Sequence, residues 1–328
     1  MKILVTGGGG FLGKCLIKKL LEKNHHVFNF SRSRYPELEK QGVTCYRGNV
    51  SNFKEVSKAL EGKEAIFHVA SQVGMWGKWE DFYNTNVKGT ENIIKSCQSL
   101  GIKRLIYTST PSVVFGKDDL RNANESTPYP QIYLSHYAHS KSLAEQKILR
   151  ANDSSKLLTT ALRPHLIFGK GDPNLIPRLV RAAKKGKLKQ VGSGKNLVDV
   201  IDVENAAHAH LLALEKLYEG SPICGKAYFL GQNAPVNLWD FIGKILNIHG
   251  LPPLTKKVSF KKAYFIGALI EKVLSLTKNY SADPSMTRFV ALQLSKSHYF
   301  NHKKAFLELG YKPIISTEEA IQRLHHLH

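Results

Sequence analysis

Cysteine is scarce in this sequence, with four among 328 residues, and no two of them form a CxxC pair. This usage excludes a disulfide framework and fits a reducing compartment, so we expect a cytoplasmic protein. The 14 histidines form no HExxH motif and no set with the spacing of metal ligands. The sequence therefore predicts no metal site.

Long hydrophobic runs are also absent. The longest, residues 263–276, is interrupted by Glu271 and Lys272, and it is shorter than the ~20 residues that span a bilayer. Residues 3–6 form a short strand-like run that leads directly into glycines, which is not the pattern of a signal peptide. We expect no transmembrane segment, although residues 263–276 fit a helix that lies in a membrane interface.

Acidic residues are few relative to basic ones, 26 against 47, which gives a formal net charge of +21. Such a surface attracts anionic partners, among them a phosphorylated cofactor, an acyl carrier, acidic lipid or nucleic acid. The basic residues are spread along the chain, with runs at 184–189 and 256–262, and form no basic arm or nucleic-acid motif. We therefore expect no nucleic-acid partner and keep peripheral contact with an anionic membrane as an expectation.

Short apolar runs alternate with helical patterns in the first half of the chain. We expect helices at residues 11–22, 53–60, 80–100 and 136–150. The expected strands are residues 3–6, 26–30, 43–46, 65–69, 104–108 and 158–162. This alternation predicts βαβ units and a doubly wound parallel sheet of the α/β class.

The pattern loosens after Phe168, where glycine, proline and lysine separate short helical segments. Two strand-like runs, residues 197–202 and 227–230, are expected to return to the sheet. The remainder of residues 168–328 predicts a smaller, mainly helical lobe. We expect it to cover the carboxyl edge of the sheet, where open α/β folds bind ligands.

A glycine-rich turn joins the first strand to the first helix. Its glycines, Gly7, Gly10 and Gly13, have the spacing TGxxGxxG, with Phe11 and Leu12 between the last two. Glycine at these positions lets the backbone approach a pyrophosphate, and the helix N-terminus attracts the phosphates. Because the motif has the required strand–turn–helix context, it predicts a dinucleotide site formed by these five residues.

The second strand ends without an acidic residue. Where an NAD-binding protein places Asp or Glu to accept the ribose hydroxyls, this chain has Ser31, Arg32, Ser33 and Arg34. Arginine and hydroxyl groups bind a 2′-phosphate, whereas an acid would repel it. The sequence therefore favours NADP(H), held by Ser31, Arg32 and Arg34. NAD(H) is the alternative, and these residues would then form a solvated basic loop.

Tyr137 and Lys141 stand at i and i+4 on one face of a predicted helix. Such a pair is common on helix surfaces. This one, however, comes in the next helix after the strand that ends at Thr108, and the carboxyl end of that strand is expected to border the site. With the glycine turn, it makes the sequence resemble the extended short-chain dehydrogenases/reductases of the NAD-dependent epimerase/dehydratase superfamily. It is most similar to the 3β-hydroxysteroid dehydrogenase branch and its bacterial relatives, the 2-alkyl-3-oxoalkanoate reductases. Supporting segments are residues 67–70, 86–90, 162–164, 198–203, 285–289, 298–301 and 309–313.

The resemblance implies a Rossmann-type dinucleotide-binding domain over residues 1–167 and a substrate-binding lobe over residues 168–328. It also implies the catalytic roles. Tyr137 would be the general acid that protonates the nascent alkoxide, and Lys141 would lower its pKa and hold the nicotinamide ribose. Thr110 would hydrogen-bond the substrate carbonyl, with Ser109 and Ser112 as alternatives.

Further cofactor contacts are implied for Asn49, Val50, Ala70 and Pro164. Relatives usually carry Asp at the position of Asn49, so weaker adenine binding is expected through the amide oxygen. The resemblance also implies that residues 165–166 face the nicotinamide carboxamide and that Asn86 braces the sheet edge. A homodimer formed through the helices at 80–100 and 136–150 is implied as well.

Two apolar features favour a hydrophobic substrate. Trp76 and Trp79 lie in the loop after the fourth strand, at the expected mouth of the site, and residues 263–276 could line an apolar cleft. Packing of the lobe would account for both equally. We expect an oxidoreductase that interconverts a 3-oxo and a 3-hydroxy group on an acyl or sterol-like molecule.

Two alternatives stand beside this expectation. A nucleotide-sugar epimerase or reductase would need cationic contacts to a diphosphate, for which Arg178, Arg181 and Lys195 are available. A non-catalytic NADP(H)-binding sensor would share the fold. The intact Tyr137 and Lys141 argue against the sensor.

Overall fold

The structure, a computed structural model, describes residues 1–324. Its strands, in chain order, are β1 (Lys2–Thr6), β2 (His26–Ser31), β3 (Thr44–Arg47), β4 (Ala65–His68), β5 (Arg104–Thr108), β6 (Leu120–Ala123), β7 (Leu158–Pro164), β8 (Ile167–Phe168), β9 (Gln190–Val191), β10 (Leu197–Val198), β11 (Ile201–Asp202), β12 (Lys226–Leu230), β13 (Val236–Asn237), β14 (Lys257–Val258) and β15 (His298–Phe300).

The helices follow in the same order. They are α1 (Phe11–Glu22), α2 (Pro36–Glu39), α3 (Phe53–Leu60), α4 (Trp79–Phe82), α5 (Gly89–Ser99), α6 (His136–Arg150), α7 (Leu175–Lys184), α8 (Val203–Lys216), α9 (Leu238–Ile248), α10 (Phe260–Leu276), α11 (Arg288–Ser295) and α12 (Thr317–Gln322). Two π-helical segments, Tyr83–Lys88 and Ala305–Leu309, and a 3₁₀ turn, Pro111–Val113, complete the description.

Seven of the described strands form one parallel sheet, in the order β12-β7-β5-β4-β1-β2-β3. Helices cover both faces, so the strands carry apolar residues on both sides. In β1, Ile3 and Val5 pack in the layer of α1 and α8, whereas Leu4 packs in the layer of α3, α5 and α6. The expected doubly wound α/β architecture is confirmed.

The helix expected at residues 80–100 is interrupted. It comprises α4, the π-helical segment Tyr83–Lys88 and α5. The wider π turn contains the buried Asn86, whose backbone oxygen accepts a hydrogen bond from the Thr90 hydroxyl at 2.6 Å. Such turns insert a residue into a helix and are frequent at functional sites.

The expectation that residues 197–202 return to the central sheet is wrong. Val198 pairs with Val236 and His298 in a smaller sheet, and Ile201 pairs with Ile167 in another. Between the two short strands, the Asp199 carboxylate accepts the Phe300 backbone N–H at 2.8 Å and so ties this segment to β15. The other run, residues 227–230, lies within β12 and does join the sheet beside β7.

The remaining segments form a lobe with its own apolar core. Phe168, Trp239, Phe241 and Ile245 are buried there. The lobe also has a four-stranded sheet in the order β13-β10-β15-β6. Its edge strand β6 follows β5 in the chain and pairs with β15. Among the helices of residues 1–324, none combines the length and apolar character needed to cross a membrane.

Candidate active site

The strand order reverses between β1 and β4, and loops after these two strands border a crevice of the kind that binds ligands in open α/β sheets. Gly7 follows β1 with a φ of 69°. A Cβ atom on it would lie 2.8 Å from the Ala70 Cα. A Cβ on Gly13 would lie 2.4 Å from the Gly7 oxygen. Only glycine permits this close packing of turn, helix and neighbouring strand.

No side chain caps the N-terminus of α1, which begins after Gly10. The first backbone N–H groups of a helix have no intrahelical partner. Because no side chain caps them here, they can bind an anion. This uncapped end and the glycine cradle fit the pyrophosphate of a dinucleotide.

A cavity of about 350 Å³ runs along this crevice. Most of the cofactor residues expected from the sequence line it, namely Gly7, Gly10, Phe11, Leu12, Gly13, Ser31, Arg32, Asn49, Val50 and Ala70. Ser33, which belongs to the loop identified from the sequence, also lines it. The lining residues that were not expected are Phe30, Tyr35, Gly48, Val69, Ser71, Val73, Thr85 and Asn174. Most of these are neighbours of expected residues. Asn174 comes from the lobe, and no local signal in the sequence pointed to it.

Arg34 does not line the cavity, although it was expected beside the cofactor. Its guanidinium donates two hydrogen bonds to Glu39, at 3.2 and 3.0 Å, on the exposed surface. Arg32 does line the cavity, and its backbone oxygen accepts a hydrogen bond from Arg47 Nε at 3.1 Å. The structure therefore separates two arginines that the sequence treated alike.

Asn29 connects the glycine turn to the end of β2. It is fully buried, accepts the Gly8 backbone N–H at 3.0 Å and donates to Ser31 Oγ at 2.9 Å. The Ser31 hydroxyl in turn donates to the Ser33 oxygen at 3.2 Å. The only sequence signal for this role is a polar residue inside an otherwise apolar strand.

Asn49, which was expected to contact the adenine, lines the cavity just after β3. Its side-chain oxygen already accepts the Ser51 N–H at 3.1 Å, and its own N–H donates to Glu55 at 2.7 Å. An amide oxygen has two lone pairs, so one acceptor position of Asn49 is left for a ligand at this end of the cavity.

Tyr137 and Thr110 come together from two different segments. Tyr137 lies in the first turn of α6, and Thr110 precedes the 3₁₀ turn that follows β5. Burial of the phenol raises the pKa of Tyr137 to about 12, and the nearby Thr110 hydroxyl acts in the opposite direction. The phenol is therefore protonated at neutral pH and holds a proton that it can donate.

Lys141 lies one helical turn beyond Tyr137 and is almost completely buried. Its Nζ donates to the Thr108 backbone oxygen at 2.7 Å and lies 4.1 Å from the centre of the Tyr107 ring. Burial lowers the pKa of Lys141 to about 7, and the Glu145 carboxylate partly opposes this shift. Near neutral pH the amine is therefore protonated in only part of the molecules, and its charged form can stabilise negative charge that develops on a neighbouring phenol.

The two alternatives to Thr110 lie on either side of it. Ser112 accepts a hydrogen bond from Thr110 Oγ1 at 3.3 Å. Ser109 is buried and faces Glu145, whose pKa it helps to lower. The structure thus brings Thr110 to Tyr137, with Ser112 as the next hydroxyl.

Asn86 joins the loop after β4 to α6. Its amide exchanges hydrogen bonds with the Gln72 backbone at 2.7 and 3.0 Å and donates to Ser140 Oγ at 2.9 Å. Ser140 donates to the Tyr137 backbone oxygen at 2.9 Å. This network positions α6 relative to the crevice.

Pro164 ends β7 and does not line the dinucleotide cavity. The next residue, His165, faces the lobe, where its Nε2 lies 2.6 Å from Nδ1 of the buried His298. Leu166 has a φ of 40°, which is costly for a residue other than glycine. In the described part of the chain no three His, Cys, Asp or Glu side chains form a group that could hold a metal ion.

A second cavity, of about 160 Å³, lies between the first turn of α6 and the lobe. Its lining residues are Met75, Trp76, Gly77, Phe82, Tyr133, Leu134, Ser135, His136, Glu271 and Arg288. Trp76 donates its indole N–H to the Asn279 oxygen at 3.0 Å and stacks on Tyr280. Trp79 stacks on His139 of α6 instead. The tryptophan loop therefore joins the lobe to α6 at a cleft whose wall combines aromatic side chains with the Glu271–Arg288 ion pair.

Comparison with known proteins gives one family and consistent relatives. The profile of the 3-beta hydroxysteroid dehydrogenase/isomerase family matches residues 4–261. A 2-alkyl-3-oxoalkanoate reductase of Shewanella oneidensis is 46% identical over 327 residues, covering 98% of this chain and 84% of the relative. The enzyme of the same description from Stenotrophomonas maltophilia is 43% identical, covering 99% and 98%.

More distant relatives extend the similarity. A decarboxylating sterol-4-alpha-carboxylate 3-dehydrogenase of Homo sapiens is 34% identical, covering 97% of this chain and 86% of the relative. Among solved structures, UDP-glucuronic acid 4-epimerase of Bacillus cereus in complex with NAD superimposes with a TM-score of 0.76. It is 21% identical and covers 99% of this chain and 97% of its own, so it supports the fold alone.

Proposed function

The chain belongs to the 3-beta hydroxysteroid dehydrogenase/isomerase family, and from this membership we propose that it interconverts a 3-oxo and a 3-hydroxy group on a hydrophobic acyl or sterol-like molecule with NADP(H). That it is an NAD(P)-dependent oxidoreductase follows from the family and the relatives. The observation that carries the proposal is the placement of Tyr137 near Thr110 and one turn from Lys141, on the helix whose first turn borders the cleft of Trp76 and Phe82.

The chain's own residues provide the proton chemistry. Bound NADP(H) supplies or accepts the hydride at the carbonyl carbon. During reduction, the Tyr137 O–H bond breaks as a new O–H bond forms on the former carbonyl oxygen. The Thr110 hydroxyl holds that oxygen, and the Lys141 ammonium stabilises the phenolate that remains. Oxidation of the alcohol reverses each step.

The preference for NADP(H) rests on the cavity wall after β2. Ser31, Arg32 and Ser33 line it, and none of the residues that line this cavity within the described chain is a carboxylate. A 2′-phosphate would meet a guanidinium and two hydroxyls there, without a repelling acid. Asn29 supports this wall from behind through its hydrogen bond to Ser31.

We expect Arg32→Gln to raise KM for NADPH by about 10- to 100-fold, since a hydrogen bond to a charged group contributes about 1.5–3 kcal/mol. KM for NADH should change little. Arg34→Gln is the matched control, because Arg34 is bound to Glu39 outside the cavity. Steady-state kinetics with both cofactors tests this. Equal effects of the two substitutions on NADPH would refute the assignment.

The substrate is best tested by direct comparison. A long-chain 2-alkyl-3-oxo acid and a 3-keto sterol would each be offered with NADPH or NADH, and nicotinamide absorbance followed. UDP-glucuronic acid would be offered with NAD⁺ and its conversion to the 4-epimer followed by chromatography, because epimerisation regenerates NAD⁺ and leaves the absorbance unchanged. We expect turnover with one of the two apolar ketones and none with the nucleotide sugar. Of the cations available to a diphosphate, Arg178 is already bound to Asp283 and to the Pro284 oxygen, each at 3.2 Å. Turnover of the nucleotide sugar alone would favour the epimerase alternative.

The compartment is proposed from the cysteines. All four are free thiols, and Cys97 is buried without a partner cysteine. We propose a reducing, cytoplasmic location, where thiols persist.

A further inference from the structure

The outer face of α10 is apolar and exposed. Phe265, Ile266, Leu269, Val273 and Leu276 lie along one side of the helix, with exposed fractions of 70, 38, 54, 49 and 74%. We refer to these five residues as the apolar stripe. Their spacing places them on one face of a 3.6-residue helix, and no described part of the chain covers them.

The opposite face of α10 holds the helix firmly against the lobe. Ala263, Gly267 and Glu271 are buried there. A Cβ on Gly267 would lie 2.5 Å from the Thr287 backbone, and Glu271 accepts two hydrogen bonds of 2.6 Å from Arg288. The stripe is therefore presented on a fixed helix.

Two lysine runs that are far apart in the sequence, at residues 184–189 and 256–262, come together beside this helix. β9 and β14 pair in parallel, with the Gln190 N–H bonded to the Lys256 oxygen at 2.9 Å. The pairing joins the run at 184–189 to the run at 256–262, which the sequence alone had presented as scattered charge. The exposed members form what we call the lysine patch: Lys184, Lys185, Lys187, Lys189, Lys256, Lys257, Lys261 and Lys262. No ion pair within residues 1–324 neutralises any of them.

We propose that the apolar stripe and the lysine patch form one docking surface for a membrane that contains anionic phospholipids. An exposed apolar helix face next to clustered lysines is the pattern of helices that lie in a membrane interface. The lysines would contact the headgroups while the stripe enters the acyl boundary. The stripe is convex and lies on a single helix, which fits a deformable lipid surface better than a shaped protein groove.

This surface is connected to the substrate cleft. The chain just after α10 carries Asn279 and Tyr280, which hold Trp76 of the cleft. Docking would therefore bring the cleft close to the lipid, from which an apolar substrate could enter. This last step rests on the proposed function, whereas lipid binding itself requires neither cofactor nor catalysis.

The test is flotation of the full-length protein with vesicles of phosphatidylcholine alone or of phosphatidylcholine and phosphatidylglycerol in equal parts. We expect at least about tenfold more bound protein on the anionic vesicles at low salt, and a decrease at high salt. Leu269→Ser/Val273→Ser should abolish binding, and Lys257→Gln/Lys261→Gln should reduce it about tenfold.

Matched controls exist for both pairs. Phe306→Ser/Leu307→Ser removes exposed apolar side chains outside α10. Lys54→Gln/Lys58→Gln removes two exposed charges on α3. Both control variants should bind like the unchanged protein. Circular dichroism verifies that all four are folded.

Three results would overturn the proposal: no binding to anionic vesicles, equal binding to neutral ones, or equal losses in the test and control variants. A dimer that Leu269→Ser/Val273→Ser converts to a monomer, with no lipid binding, would assign the stripe to self-association instead. Reductase activity on a short, soluble ketone should not differ among the variants. If the unchanged protein reduced neither this ketone nor the long-chain and sterol ketones, the proposed function would be contradicted but the docking surface would not.

Discussion

Replacing Tyr137 with phenylalanine is expected to lower kcat/KM for ketone reduction by about 10²- to 10⁴-fold, the usual contribution of a positioned general acid. The substitution removes the hydroxyl that faces Thr110 and leaves the ring in place. Tyr133, the nearest tyrosine along the chain, does not replace it, because its hydroxyl donates to the Val113 oxygen at 2.9 Å.

The loss should be confined to the chemical step. NADPH binding, followed by fluorescence titration, should remain within about twofold, since the cavity of the glycine turn does not include Tyr137. Tyr83→Phe is the control, because Tyr83 is an exposed phenol on the neighbouring π-helical segment. If Tyr137→Phe retains most of the activity, another group must donate the proton.

Replacing Glu145 with glutamine is expected to destabilise the protein by about 3–5 kcal/mol, because it leaves a buried guanidinium without its counter-charge. Glu145 and Arg163 are 0% and 3% exposed, and they form two hydrogen bonds of 2.9 and 2.6 Å. Tyr129 donates a third, at 2.6 Å. Urea unfolding measures the difference in free energy.

An exposed pair provides the comparison. Glu319 and Arg323 lie 2.7 Å apart on the surface, and Glu319→Gln should cost at most about 1 kcal/mol. If Glu145→Gln costs no more than this control, the buried pair does not stabilise the sheet against α6.

The same carboxylate makes stability depend on pH in a defined direction. Burial would raise the pKa of Glu145, but the ion pair with Arg163 and several hydrogen bonds together hold it below its ordinary value of 4.5. A carboxyl whose pKa is lower in the folded state stabilises the fold above its ordinary pKa, and this contribution is lost as the pH falls through the folded value. The unchanged protein should therefore lose this contribution in acid, whereas Glu145→Gln should lack it at all pH values.

Much of the fold and part of the candidate site could be predicted from the sequence. The bounds expected for α1, α3 and α6 match the structure, because the apolar periodicity of a helix is a local signal. The glycine turn was recognised for a similar reason. Its spacing reflects contacts within one strand–turn–helix unit, such as that between Gly13 and the Gly7 oxygen.

Local sequence signals were insufficient where the position of a side chain or strand depends on a contact with a residue outside the local pattern. Arg32 and Arg34 are equivalent in the sequence, but Glu39 binds only Arg34 and removes it from the cavity wall. Residues 197–202 look like one strand, yet the contact of Asp199 with β15 divides them. Such choices depend on residues that are five to a hundred positions away, which periodicity does not describe.

The sequence by itself determined the α/β class, the position of the dinucleotide turn and the pairing of Tyr137 with Lys141 on one helix, because each depends on neighbours within one or two turns of the chain. Only the tertiary structure decided that Thr110 lies near Tyr137, that Asn29 of β2 binds the Gly8 backbone of the glycine turn, and that two lysine runs become one patch. Each of these depends on parallel strands or loops that meet across the fold, and parallel pairing joins segments separated by long crossover connections.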